Sequence, residues 1–271
     1  MRTRAPDPQF PARLARRLVA FERAYRQLWA GHVKTASDDQ EPAPVSVLVY
    51  PDRKVLRSAL SRLSAAAPSF EVGGAYLADA RVLAVAYESP LERLLISNLV
   101  HEDTHLLNRE ILGVAGLSPW LNEGLAQYAQ FSQLTPEGDF LLGTIDKGSE
   151  IRRGEGDDAV TYRFLPWRNL SYMMGQFRRR HHLSLDGLLA VGDDRQFYAE
   201  QSHLRYAQSW TLVHLLLDGR MRGRGPLRPR FFQYVSLEQR GMGGREALLD
   251  VLDVTMEKLD DAWYRHVKKL H

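Results

Sequence analysis

His101-Glu102-Asp103-Thr104-His105, followed by Trp120-Leu121-Asn122-Glu123-Gly124, constrains this 271-residue chain more than any other feature. On a helix, residues four apart leave the same face about one turn from each other, so the imidazoles of His101 and His105 can grip one ion. That reach suits two corners of a tetrahedral zinc site. Glu102 points to the flank of the same site, where it could take a proton from a metal-bound water. Zinc catalysis needs a third protein ligand and an open position, and Glu123 lies near the start of the next predicted helix. The pattern implies a zinc hydrolase with one Zn2+ per chain.

Flanking signals support two helices. Ser89-Pro90-Leu91-Glu92 reads as a capping box with Pro at the first helical position. Leu91, Leu94, Leu95, Leu99, Leu106 and Leu107 recur at helical spacing, which predicts a buried helix over the motif. Buried imidazoles and a buried carboxylate are costly unless paired or metal-bound. Ser118-Pro119 marks the second helix, over 119–131, with Glu123 in its second turn. Asn122, and Gln127 one turn after Glu123, are candidates to orient the ligands from behind. The plainer alternative is an amphipathic helix whose two histidines are ordinary core or surface residues.

HEDTH followed by WLNEGLAQY resembles the gluzincin metallopeptidases, in which a Glu of a WLNEG-type segment on the following helix is the third ligand. Seventeen residues separate His105 from Glu123, one fewer than is usual in the aminopeptidase N family. A closer resemblance is to bacterial peptidase-MA-like proteins, which share YAQSW-type and C-terminal helical segments. It spans about residues 45 to 270 and implies a zinc metallopeptidase acting on a peptide or protein. The implied fold is α+β and zincin-like: a small mixed β-sheet with the active-site helices, then a mainly α-helical C-terminal half.

In gluzincins the strand flanking the cleft pairs with extended peptide, which makes Gly73, Gly74, Ala75 and Tyr76 the expected substrate-binding segment. Gly74-Ala75-Tyr76 keeps the start of the Gly-Ala-Met-Glu-Asn segment of the aminopeptidase N family. It lacks the glutamate that holds a free substrate amine, which argues against exopeptidase action. The glycines could equally make a tight turn. A tyrosine at the head of a later helix donates to the oxyanion in that family, and Tyr206 matches the place; a neutral phenol suits the task. His203 competes for that role, and a merely packed Tyr206 is the alternative. The second functional reading is a non-catalytic scaffold that binds zinc or peptide.

Around this block the chain divides into an amphipathic helix with a linker (residues 1–40) and one large domain (44–271). Within the domain, 44–135 holds the sheet and zinc helices and 160–271 the helical half. The first helix, from Pro11 to about Gly31, carries Leu14, Leu18, Phe21, Tyr25, Leu28 and Trp29 at three- and four-residue intervals. Its Arg13, Arg16, Arg17, Arg23 and Arg26 suggest either an anionic membrane surface or, as the favoured reading, a helix packed on the domain with a solvated basic face. Val45 to Tyr50 reads as a strand. Lys54 to Ala66 reads as a helix with Val55, Leu56, Leu60 and Leu63 inward, and Gly73–Leu77 with Arg81–Ala86 as a hairpin. Gln133 to Ala159 reads as a loop with a short hairpin at Phe140-Leu141-Leu142.

Later helices are expected over Leu170–Phe177, Leu185–Leu189, Tyr206–Leu217, Arg245–Val251 and Met256–Leu270. Arg178-Arg179-Arg180-His181-His182 reads as a solvated helix end. A net charge of +3 is too small to expect a nucleic-acid partner. Without cysteine there is no disulfide and no thiolate ligand. No run of eighteen apolar residues predicts a transmembrane helix. The N-terminus lacks the apolar stretch of a signal peptide, so the expected location is the cytoplasm, or outside if the sequence is a trimmed mature form.

Overall fold

The computed structural model describes residues 7–33, 43–63, 73–87, 92–113, 117–153, 159–179, 181–199, 201–221 and 225–270. Helix α1 (Phe10–Trp29) buries Leu14, Leu18, Phe21, Tyr25 and Trp29, one stripe at the expected spacing. Strand β1 (Ser46–Tyr50) leads to α2 (Arg53–Leu63), then to the hairpin of β2 (Gly74–Leu77) and β3 (Val82–Ala86). These strands form a mixed sheet in the order β1-β3-β2, with β1 parallel and β2 antiparallel to β3. Central β3 is covered on both faces and reads accordingly as a continuous apolar run. Leu83 and Val85 join the main core, while Ala84 and Ala86 meet Leu56 and Leu60 of α2. Val55, expected inward, is 41% exposed. It stands a third of a turn off the Leu56–Leu60 line, and one narrow stripe suffices against a three-stranded sheet.

Helix α3 (Glu92–Leu112) follows and carries the histidines; Ser89, Pro90 and Leu91 lie outside the described residues. Helix α1 packs along it, as its apolar stripe leads one to expect. Arg13 and Arg17 pair with Glu92 of α3 at 3.1 and 2.5 Å, and Arg26 pairs with Glu110 at 2.6 Å. Three of the five arginines expected on a free basic face are thus turned onto the neighbouring helix.

After α4 (Pro119–Gln130), the stretch expected as a loop folds into two antiparallel hairpins. Strand β4 (Ser132–Leu134) pairs with β5 (Phe140–Ile145), and β6 (Ser149–Arg153) with β7 (Val160–Phe164). Phe140 to Leu142 is therefore part of one strand. The polar composition of 133–159 belongs to strands with one solvated side, which composition alone cannot tell from a loop.

The remainder is helical except for the ladder of β8 (Arg220–Met221) and β9 (Gly225–Pro226). It comprises α5 (Trp167–Arg179), α6 (Leu185–Leu189), α7 (Asp194–Phe197), α8 (Ser202–Asp218), α9 (Arg228–Glu238), α10 (Arg245–Leu252) and α11 (Met256–Leu270). Helix α8 is buried nearly all round, as befits the centre of a helical layer. It runs close against α4, where a Cβ on Gly124 would stand 2.7 Å from the Ser209 carbonyl oxygen. The glycine after Glu123 thus permits the helix contact that holds Glu123 in place. Among the described residues no helix is long and apolar enough to cross a membrane.

A histidine pair ties α8 to α11. His214 Nε2 lies 3.1 Å from the Gly143 carbonyl, which only accepts, so His214 donates there and its Nδ1 accepts from His266 Nε2 at 3.1 Å. Burial holds His214 below its ordinary pKa; burial, then the His214 ring, pushes His266 from 6.5 down to about 4. Between those values the folded chain binds fewer protons than the unfolded chain, so this contribution is lost as pH falls below about 6.5. The unfolding temperature should drop between pH 7.5 and 5, and His266→Gln, which keeps an N–H donor, should flatten part of that slope. An identical slope in the variant would contradict the assignment.

Candidate metal centre

Two helix starts place His101, His105 and Glu123. Helix α3 is anchored by Arg93, whose Nε meets Asp146 at 2.9 Å and whose Nη2 donates to the Ser132 carbonyl at 2.7 Å. Ser118 occupies the N-cap position of α4 with Pro119 next, but its hydroxyl does not cap. Its N–H and Oγ both donate to the Glu238 carboxylate of α9, at 3.0 and 3.1 Å. The start of the helix that carries Glu123 is thereby tied to the C-terminal half.

His101 Nε2 lies 3.3 Å from His105 Nε2 and 3.4 Å from Glu123 Oε2; His105 Nε2 lies 3.7 Å from the same oxygen. A tetrahedral site with bonds of about 2.0–2.1 Å has edges of about 3.3–3.4 Å, so three corners this far apart can share one zinc ion. The protonation pattern agrees. His101 Nδ1 is 3.2 Å from Gln130 Oε1, an atom that also accepts from Gln127 Nε2 at 2.8 Å. An acceptor there puts the proton on Nδ1 and leaves the His101 Nε2 lone pair facing His105 and Glu123. Glu123 is 2% exposed, and its Oε2 has no hydrogen-bond partner. Two ring nitrogens beside a buried carboxylate oxygen without a hydrogen-bond partner form a group that could hold a cation. The two-imidazole, one-carboxylate donor set suits zinc. Without a metal, protons take that part. Burial opposes charging His101, but Glu123 raises its pKa on balance; burial opposes charging Glu123, but His105 and His101 hold its carboxyl below the usual range.

The other Glu123 oxygen, Oε1, accepts the hydroxyl of Tyr198, the residue that ends α7. No spacing rule marked Tyr198, because it reaches the site from a separate four-residue helix. Its bond occupies Oε1 and leaves Oε2 facing the two histidines. Tyr198→Phe should weaken zinc binding by about 10–100-fold, as loss of an outer partner does. Competition with a chelating dye would measure this, and an unchanged affinity would remove Tyr198 from the site.

Of the residues expected behind the ligands, neither reaches one directly. Gln127 acts through Gln130. Asn122 Oδ1 accepts from Asn108 Nδ2 at 2.9 Å, and Asn108 Oδ1 accepts from the Tyr25 hydroxyl at 2.6 Å. Asn122 therefore fastens α4 to α3 and α1. Gln130 is the contacting residue, and no motif distinguished it from a polar helix end.

Glu102 packs against β2. A Cβ on Gly74 would come within 2.9 Å of Glu102 Cγ, and one on Gly73 within 2.8 Å of Asn98 Nδ2. These glycines make room for side chains of α3. Burial raises the Glu102 carboxyl above its ordinary pKa, with His101 and His105 pulling the other way and the Tyr76 backbone amide also favouring the charged form. Ala75 and Tyr76 continue β2, an edge strand whose outer side no described strand pairs. The Tyr206 ring stands 6.3 Å from that of His101 and 6.2 Å from that of Tyr198. Burial, then the Glu123 and Glu102 charges, pushes its phenol pKa well up, so Tyr206 is a protonated donor beside the cluster. His203, one turn earlier, is exposed.

Among the described residues His101, His105 and Glu123 are the one group of three or more such side chains with metal-ligand spacing. Compared with known proteins, the chain matches no family model and no curated sequence.

Proposed function

We propose that the chain is a zinc-dependent peptidase of gluzincin type, with a zincin-like arrangement of sheet and paired helices. One observation carries the reading: His101, His105 and Glu123 present three atoms at tetrahedral-edge separations, one of them a buried carboxylate oxygen with no other partner. His101, His105 and Glu123 would hold the ion, which would supply Lewis acidity toward a carbonyl and acidify a water in the open position. Glu102, packed against β2 beside the cluster, takes the proton of the attacking water. The same carboxyl then returns the proton to the leaving amine. Tyr206 donates its hydroxyl hydrogen to the substrate oxygen as negative charge builds there. The free edge of β2 supplies backbone groups for an extended peptide.

The test is digestion of a diverse peptide library by the zinc-loaded chain. Cleavage that stops with a chelator and resumes on adding zinc supports the reading. Zinc retained without any cleavage would leave only the non-catalytic scaffold.

A further inference from the structure

A cavity of about 640 Å3 opens where the tail of α8, strand β8 and the last turns of α11 meet, within the size range of small-molecule sites. It shares no residue with the metal centre. Ala262, Arg265, His266 and Lys269 of α11 line it at three- and four-residue steps, so they share one side of that helix. Met221 of β8 and Ala262 are buried and give it an apolar floor, while Arg220, Arg265 and Lys269 line it from exposed positions.

The charges do not cancel. Both oxygens of Asp218, the acid of the lining, are already used. Oδ2 accepts the Tyr128 hydroxyl at 2.7 Å, and Oδ1 meets the Arg228 guanidinium at 2.5 Å. Arg228 stands outside the lining, so that pair is neutral by itself. Arg265 meets Asp261, one turn earlier, at 2.8 Å. His266 gives its Nε2 hydrogen to His214 and, pushed down to about 4, adds no charge at neutral pH. The carbonyls that end α8 are taken too, that of Leu215 by the Gly219 amide and that of Leu217 by Arg228 Nε. Arg220 and Lys269 are what remains: two cations with no ion pair or side-chain hydrogen bond among the described residues.

Two uncompensated cations beside an apolar floor are complementary to a small dianion with an apolar body. We propose that the cavity binds a phosphate monoester, its phosphate between Arg220 and Lys269 and its organic group on Met221 and Ala262. A phosphate offers close to two negative charges and three acceptor oxygens on one centre, which a guanidinium fork and an ammonium can share. A carboxylate offers one charge and two oxygens.

The test is calorimetric titration of the full chain, at neutral pH and physiological salt, with phenyl phosphate, benzoate and phenol. Phenyl phosphate should bind at least about tenfold more tightly than benzoate, and phenol not measurably. Arg220→Ala and Lys269→Ala, both at exposed positions, should each weaken phenyl phosphate by about tenfold, and the double variant should abolish measurable binding. Lys258→Ala removes the same charge from an exposed position of α11 outside the cavity and should change nothing. Phenyl phosphate binding no better than benzoate, or not at all, overturns the proposal. A loss in Lys258→Ala equal to that in Lys269→Ala also overturns it, since net charge alone would then account for binding. So does sedimentation with vesicles containing phosphatidic acid when phenyl phosphate fails to bind, which would make this face a lipid contact.

Discussion

Glu102→Gln should leave zinc bound and slow peptide hydrolysis by about a hundred- to ten-thousand-fold, the usual worth of a positioned general base. The substitution is nearly isosteric. It keeps the packing of the side chain on Gly74 and an oxygen that can accept from the Tyr76 amide. What it removes is basicity, so the loss should fall on kcat, with KM and zinc content close to wild type. The readout separates two causes. Loss of turnover together with loss of zinc would make Glu102 a structural support of the site, and turnover equal to wild type would make the assigned base wrong.

Arg93→Ala should destabilise the fold by about 3–5 kcal/mol, because it strands a buried carboxylate. Arg93 and Asp146 meet at 2.9 Å with side chains only 9% and 10% exposed. The guanidinium also donates to the Ser132 carbonyl and stacks 4.4 Å from the Phe164 ring. One side chain thus joins the first turn of α3 to both hairpins that follow α4. Burial lowers the Arg93 pKa while Asp146 raises it, the mark of a charge taken from water and held by its partner. At roughly 2–4 °C per kcal/mol for a chain of this size, the unfolding temperature should fall by about 6–20 °C. Arg93→Met combined with Asp146→Leu should recover most of the loss, since an apolar pair leaves no charge buried alone. Thermal unfolding of the three proteins decides it: a fall of under 2 °C for Arg93→Ala would show the pair to be solvated.

What the sequence revealed and what it hid follow from the range of the signals. Local periodicity sufficed for α1, where the Leu14–Trp29 stripe is the buried one, for the β2–β3 hairpin, and for α3 and α4. The clustering of His101, His105 and Glu123 was legible because a four-residue spacing on one helix and a glutamate on the next are nearly local facts. Partners brought from far along the chain were not legible. Tyr198 reaches Glu123 across 75 positions, and Glu238 takes the Ser118 hydroxyl across 120. Arg13, Arg17 and Arg26 looked like a solvated face because nothing in a helical repeat shows that Glu92 and Glu110 lie opposite. The hairpins in 132–164 were missed for a different reason: strands with one wet side carry polar residues, and a run of them resembles a loop.

The most direct measurement is zinc uptake by the chelator-treated protein, followed by mass spectrometry under native conditions. The wild-type chain should take up one zinc ion, and His101→Ala, His105→Ala and Glu123→Ala should each retain none through buffer exchange. A wild-type chain that binds no zinc, or a Glu123→Ala chain that binds it as the wild type does, would contradict the three-residue grip on which the enzymatic reading stands.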